Sequence, residues 1–189
     1  MNIKLRLYDR SNIIKENTDE MVACIERMAL DVSKTLSQGN KLMFCGNGGS
    51  AAESQHMAAE YCATLDHKRP RPGMAALALT TDTSTITSIS NDYGYEKVFS
   101  RQIEALAKPG DVVIAISTSG NSKNVINALI QANQQKCMTI GLSGRDGGDF
   151  NDLCNVNLVV PSNDTPRIQE MHIFIGHTIC HLIDQEYIN

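Results

Sequence analysis

Five short apolar runs punctuate the chain, separated by longer stretches of mixed polarity. Lys41–Cys45, Ala75–Leu79, Asp111–Ile116, Cys137–Leu142 and Val156–Val160 are too short for buried helices and read as strands. Asp111-Val-Val-Ile-Ala-Ile116 is apolar without alternation, the pattern of a strand covered on both faces. Between the runs, apolar residues recur near helical intervals. Residues 10–37 carry Ile13, Ile14, Met21, Ile25, Met28, Leu30 and Leu36, and Gly39-Asn40 ends that region. Further helices are expected from Ser50 to about Thr64, from Tyr95 to Ala107, from after Ser122 to about Asn133, and from Thr165 to about Tyr187. Thr80–Asn91 is rich in hydroxyls, and its pattern does not decide between helix and loop. Asp66–Gly73 holds two prolines and four basic residues counting His67, and reads as a solvated crossover.

Strands alternating with helices predict an α/β fold: a three-layer α-β-α sandwich around a five-stranded parallel sheet of flavodoxin-like type. A helical region over residues 1–38 precedes an α/β core over 39–189, together one domain. In such sheets ligands bind outside the carboxyl ends of the strands.

Composition narrows the function. The net charge of −4 and a pI near 5.7 argue against nucleic acid as the main partner. An anionic substrate is then held by local groups and not by the global field. The six cysteines are scattered with no CxxC pair, as expected of buried thiols in a reducing cytoplasm. MNIKLRLYDR has no apolar core long enough for a signal peptide, and no run approaches the roughly 20 apolar residues of a membrane span.

Three stretches carry candidate chemistry. Gly46–Glu60, GNGGSAAESQHMAAE, follows the first strand with a glycine turn whose backbone can approach a ligand. Ser50 stands at the expected N-cap, and the helix start suits an anion or polar ligand. His56 and Glu60 stand at i, i+4, about 40° apart around the axis, so they share a face. Ser117-Thr118-Ser119-Gly120-Asn121-Ser122 places four hydroxyls between a buried strand and a helix start. Hydroxyls and free N–H groups there can solvate a phosphate without lysine. The last helix carries His172, His177 and His181. His177 and His181 stand at i, i+4 and could chelate a metal by themselves, but on periodicity alone a histidine on an apolar helix is more often a packed core residue than a ligand, and His56–Glu60 has the alternative reading of a surface ion pair.

GNGGSAAESQHMAAE, LALTTDTSTITSISNDYGYEKVFSRQ, GDVVIAISTSGNSKNV and TPRIQEMHIFIGHTIC together resemble the sugar isomerase (SIS) domain. Within it they are most similar to the bacterial phosphoheptose isomerases. The resemblance runs from about Gly39 onward in order and spacing. It implies aldose–ketose isomerisation of sedoheptulose 7-phosphate to D-glycero-D-manno-heptose 7-phosphate, for lipopolysaccharide core or capsule. It implies a cytoplasmic homotetramer with sites at subunit interfaces and one Zn2+ per subunit. The implied metal ligands are His56, Glu60, Gln169 and His177. Glu60 and His177 are the implied catalytic pair, with His172 and His181 structural. Asn47, Gly48, Gly49, Glu60, Asn91, Asp92 and Gln169 match sugar-contacting positions, and Ser117, Thr118, Ser119 and Ser122 match the phosphate cradle.

The chain departs from the family at Thr64, where an arginine is usual four residues after the glutamate. Lys68, Arg69 or Arg71 could substitute from the following loop, or the phosphosugar could differ. A non-enzymatic SIS module that binds the replication initiator is the reading from another class; Glu60 and His177 favour the enzyme over it.

Overall fold

Five strands form one parallel sheet in the computed structural model, which describes residues 3–188 of the chain. β1 (Leu42–Gly46) lies between β2 (Ala76–Ala78) and β3 (Val112–Ser117), followed by β4 (Met138–Gly144) and β5 (Val156–Val160). The order β2-β1-β3-β4-β5 is the doubly wound, flavodoxin-like one. Phe44 sits opposite Ala78 on one side and Ile114 on the other.

The pleat divides the core in two. Leu42, Phe44, Ile114 and Ile116 face one layer, and Met43, Cys45, Val113 and Ala115 face the other. The first layer holds α2 (Thr18–Ser37), α3 (Gly49–Cys62) and α8 (Thr165–Ile188), with Ile13 and Ile14 of α1 (Ile3–Glu16) packed against it. The second holds α4 (Thr83–Tyr93), α5 (Ser100–Leu106), α6 (Lys123–Gln134) and α7 (Phe150–Leu153). The apolar runs became strands because each residue in them finds a helix layer to face. Among the described residues, no helix is long and apolar enough to cross a membrane.

Several expectations are corrected in detail. The N-terminal helical region begins at Ile3 and breaks at Asn17, whose amide donates to Ile13 O. The hydroxyl-rich stretch is α4. Asp82 caps it by accepting from Thr85 N, and Ile86 and Ile89 pack onto the core. The helix expected over 95–107 is split into a 3-10 turn, Tyr95–Lys97, and α5. Not all thiols are buried: Cys62 is exposed, although all six cysteines are free. The basic loop is not wholly solvated either, because Arg71 is buried against Asp184.

His172 is fully buried on α8, and its Nε2 donates to Ser143 O at 2.9 Å. The bond fixes the tautomer, since a carbonyl accepts only from N–H. Burial lowers its pKa from 6.5 to about 4. Between those values the unfolded chain binds a proton that the native protein excludes, so stability falls as pH drops through this window. Denaturant titration at pH 7 and pH 4.5 should show this loss in the wild type and a smaller loss in His172→Asn. Equal losses would exclude His172 as their source.

Candidate active site

The chain reverses its strand order between β1 and β3, and the loops leaving those two strands face one crevice. The first loop is shaped by glycine. Gly48 takes φ +56°, a region that side chains avoid, and it precedes the helix in the N-cap place. The expected Ser50 cap is therefore corrected: Ser50 lies buried within the first turn and makes no cap bond. A Cβ on Gly49 would stand 2.4 Å from Gln169 Nε2, so the absence of a side chain lets α8 approach the start of α3.

A second close approach follows one level further along. A Cβ on Gly176 would stand 2.3 Å from Met57 Sδ. These neighbours carry His177 and His56 with them. The two imidazoles meet edge-on with their Nε2 atoms 2.8 Å apart. Glu60 Oε1 lies 3.5 Å from His56 Nε2, and ligand atoms of all three side chains lie within 4.8 Å of one another. The predicted i, i+4 pair is thus completed by a histidine 121 positions away, and the three groups can hold a metal ion. The amide of Gln169 lies against Gly49.

The hydroxyl loop leaves β3 beside the glycine loop. Ser117 Oγ is 3.1 Å from Ser122 Oγ and 3.4 Å from Ser119 Oγ, with Thr118 half-buried beside them. Ser122 occupies the N-cap of α6 but spends no hydroxyl on it. Gly120 takes φ +64° where a Cβ would strike Gly147 O at 2.0 Å, so the loop that follows β4 fixes this turn. The two site loops are joined by a reciprocal amide pair. Asn47 and Asn124 each donate to the other at 2.8 Å, and Tyr95 OH also donates to Asn47 Oδ1 at 3.0 Å.

Asn91 and Asp92 are exposed at the end of α4, where Asn91 Nδ2 donates to Asp92 Oδ1 at 2.7 Å. No hydrogen bond among the described residues joins them to Asn47 or to the His–Glu–His group. Exposed His181 lies 3.1 Å from the Gln185 amide. Thr64 donates weakly to Asp66 O, and Arg71 is committed elsewhere, which leaves Lys68 and Arg69 as the exposed cations of the loop. Sequence reasoning missed Tyr95, Asn124 and Glu53. Glu53 shares the buried face of α3 with Met57 and Tyr61, a helical spacing that could have flagged it. Its Oε1 has no partner, and burial pushes its carboxyl up to about 8.

The SIS domain family model matches residues 8–144. The phosphoheptose isomerase of Aliarcobacter butzleri is 57% identical over 94% of this chain and 98% of its own. A solved phosphoheptose isomerase from Neisseria gonorrhoeae superposes with a TM-score of 0.89 at 41% identity, covering 97% of both chains. Another, from Francisella tularensis, gives 0.86 at 33%, covering 96% of this chain and 97% of its own. With a doubly wound sheet, a glycine loop and hydroxyl loop at its switch point, and a His–Glu–His group beside them, the chain belongs to the SIS domain family and, within it, to the phosphoheptose isomerases.

Proposed function

We propose that the protein converts sedoheptulose 7-phosphate into D-glycero-D-manno-heptose 7-phosphate, feeding lipopolysaccharide core or capsule synthesis in the cytoplasm. The observation that carries this reading is the meeting of Glu60 with His56 and His177 beside the two loops. The phosphate is held by Ser117, Thr118, Ser119 and Ser122 and by the start of α6. A helix N-terminus and hydroxyls suit an anion in a protein of net charge −4. Asn47, Gly48, Gly49, Asn91, Asp92 and Gln169 contact the sugar, with Tyr95 and Asn124 holding the Asn47 amide.

Zinc fits the donor set. Zn–N bonds near 2.0–2.1 Å put two ligand atoms of a tetrahedron about 3.3 Å apart. Two separations here, 2.8 Å between the imidazoles and 3.5 Å from Glu60 to His56, straddle that value, and the ligand atoms of all three residues lie within 4.8 Å of one another. His56, Glu60 and His177 hold the ion, and Gln169 supplies the fourth ligand. When bound, it supplies positive charge near the substrate oxygens during the reaction.

The proton chemistry belongs to the protein. Glu60 Oε1 lies against His56, and its other oxygen is the base. It removes a proton from C1 of the ketose and returns one to C2 through a cis-enediol. His177 gives a proton to O2 and takes one from O1, so the two transfers balance and both groups end as they began.

A homotetramer is the assembly we propose. α1 buries no residue, and Ile3, Leu5, Leu7 and Tyr8 on it stand exposed. At its C-terminal end Ile14 joins Met21, Val22 and Ile25 of α2 and Phe174 and Leu182 of α8 in an apolar groove. A short helix with several large apolar residues in water is marginal, and a neighbouring subunit supplies what it lacks.

Glu60→Gln should lower kcat by about 10²–10⁴-fold with the fold intact, as expected for loss of a general base. Activity near wild type excludes the role. His177→Ala should lose bound zinc, measured by elemental analysis of the purified protein; unchanged zinc means the ligands are misassigned. Light scattering should give the mass of four chains, and a monomer contradicts the assembly.

A further inference from the structure

We propose that Arg71 is a positioning residue of this site. Its guanidinium, paired with Asp184, ties the C-terminal end of α3 to α8 and so sets Glu60 against His177. The kinetic part of this proposal rests on the isomerase reading; the metal-binding part rests only on the His–Glu–His group.

The Arg71 side chain has no exposed surface, and that of Asp184 is 6% exposed. Three directions of the guanidinium are used. Nη2 donates to Glu60 O at 2.9 Å and Nη1 to Tyr61 O at 2.9 Å, while Nε donates to Asp184 Oδ1. Nη1 also reaches Pro72 O at 3.1 Å. α3 ends at Cys62, so the carbonyls of Glu60 and Tyr61 belong to its last turn, where intrahelical donors run out. A cation there also complements the helix dipole. One of those carbonyls belongs to Glu60 itself.

On the other helix, Asp184 lies seven residues beyond His177. Seven residues are close to two turns, so Asp184 and His177 share a stripe of α8, roughly 10 Å apart along the axis. The contacts between the helices come in matching order: Gly49 with Gln169, Met57 with Gly176, then Glu60 and Tyr61 with Asp184 through Arg71. α3 and α8 therefore run parallel. The first two contacts limit how closely the helices approach. The third is directional, and it also fixes rotation and slide.

Stability alone is a poor account of such a group. A buried ion pair costs desolvation on both sides, and apolar residues of similar volume often stabilise as well. What an apolar pair cannot do is hold two named carbonyls and a carboxylate in one plane. Lysine cannot do so either, being a point charge on a flexible stem.

The test uses two variants of the full-length, zinc-loaded protein: Arg71→Lys, and Arg71→Met with Asp184→Leu. In both, kcat on sedoheptulose 7-phosphate should fall about 10- to 100-fold. KM should change by less than about threefold, because the phosphate is bound by the loop after β3. The double variant leaves Glu60 O and Pro72 O without their guanidinium donor and should lose some thermal stability, so kcat and cobalt affinity are compared well below its midpoint. Cobalt(II) titration of the metal-free proteins should show affinity weakened about tenfold or more. Folded variants with wild-type kcat and cobalt affinity overturn the proposal, as do variants that lose thermal stability alone. If the double variant does not fold, Arg71→Lys carries the same readouts. If the wild type lacks isomerase activity, the isomerase reading fails while the cobalt titration still decides the role of Arg71.

Discussion

The site exists only where α3 touches α8. At Gly176 a single added carbon would collide with Met57, so the two helices approach as closely as backbone and thioether allow. The residues next to that contact, His56 and His177, are brought by it to hydrogen-bonding distance. A larger residue at position 176 would first have to displace the Met57 thioether that fills the space beside it. Small residues packed against large ones thus lie directly beside the donor set.

The second constraint is the reversal of strand order between β1 and β3. It leaves the two loops side by side at the carboxyl ends of the central strands. One loop needs glycine to turn and to admit Gln169; the other needs glycine to clear the loop after β4. The amide pair of Asn47 and Asn124 then locks the loops to each other. On the proposed reading, a phosphosugar laid across them would meet the hydroxyls of the β3 loop at one end and the His–Glu–His group at the other. An overall acidic chain can therefore take an anionic substrate without a basic surface.

Much of the fold was legible because the strands are continuous apolar runs, with little else to become. The pairing of His56 with Glu60 was legible because it is local, one helical turn. The arrival of His177 beside them was not readable from periodicity, since it stands 121 positions from His56, and only the family resemblance joined it to that pair. Ser50 misled because serine favours N-caps, whereas here the chain enters the helix through a glycine with positive φ. In α4 the hydroxyls compete locally with the backbone, so propensity stayed silent until Asp82 and the packing of Ile86 and Ile89 decided it. Arg71 hid among exposed basic neighbours, His67, Lys68 and Arg69, and nothing in so short a run tells the buried cation from the solvated ones.

The central claim is that Glu60 carries a proton between two carbons of a phosphosugar. Proton NMR of sedoheptulose 7-phosphate with the zinc-loaded protein in D₂O tests it most directly. The account predicts aldose signals together with deuterium entering at C2, because a carboxylate in a crevice open to water exchanges its proton. A folded, zinc-loaded sample that yields no aldose would contradict it.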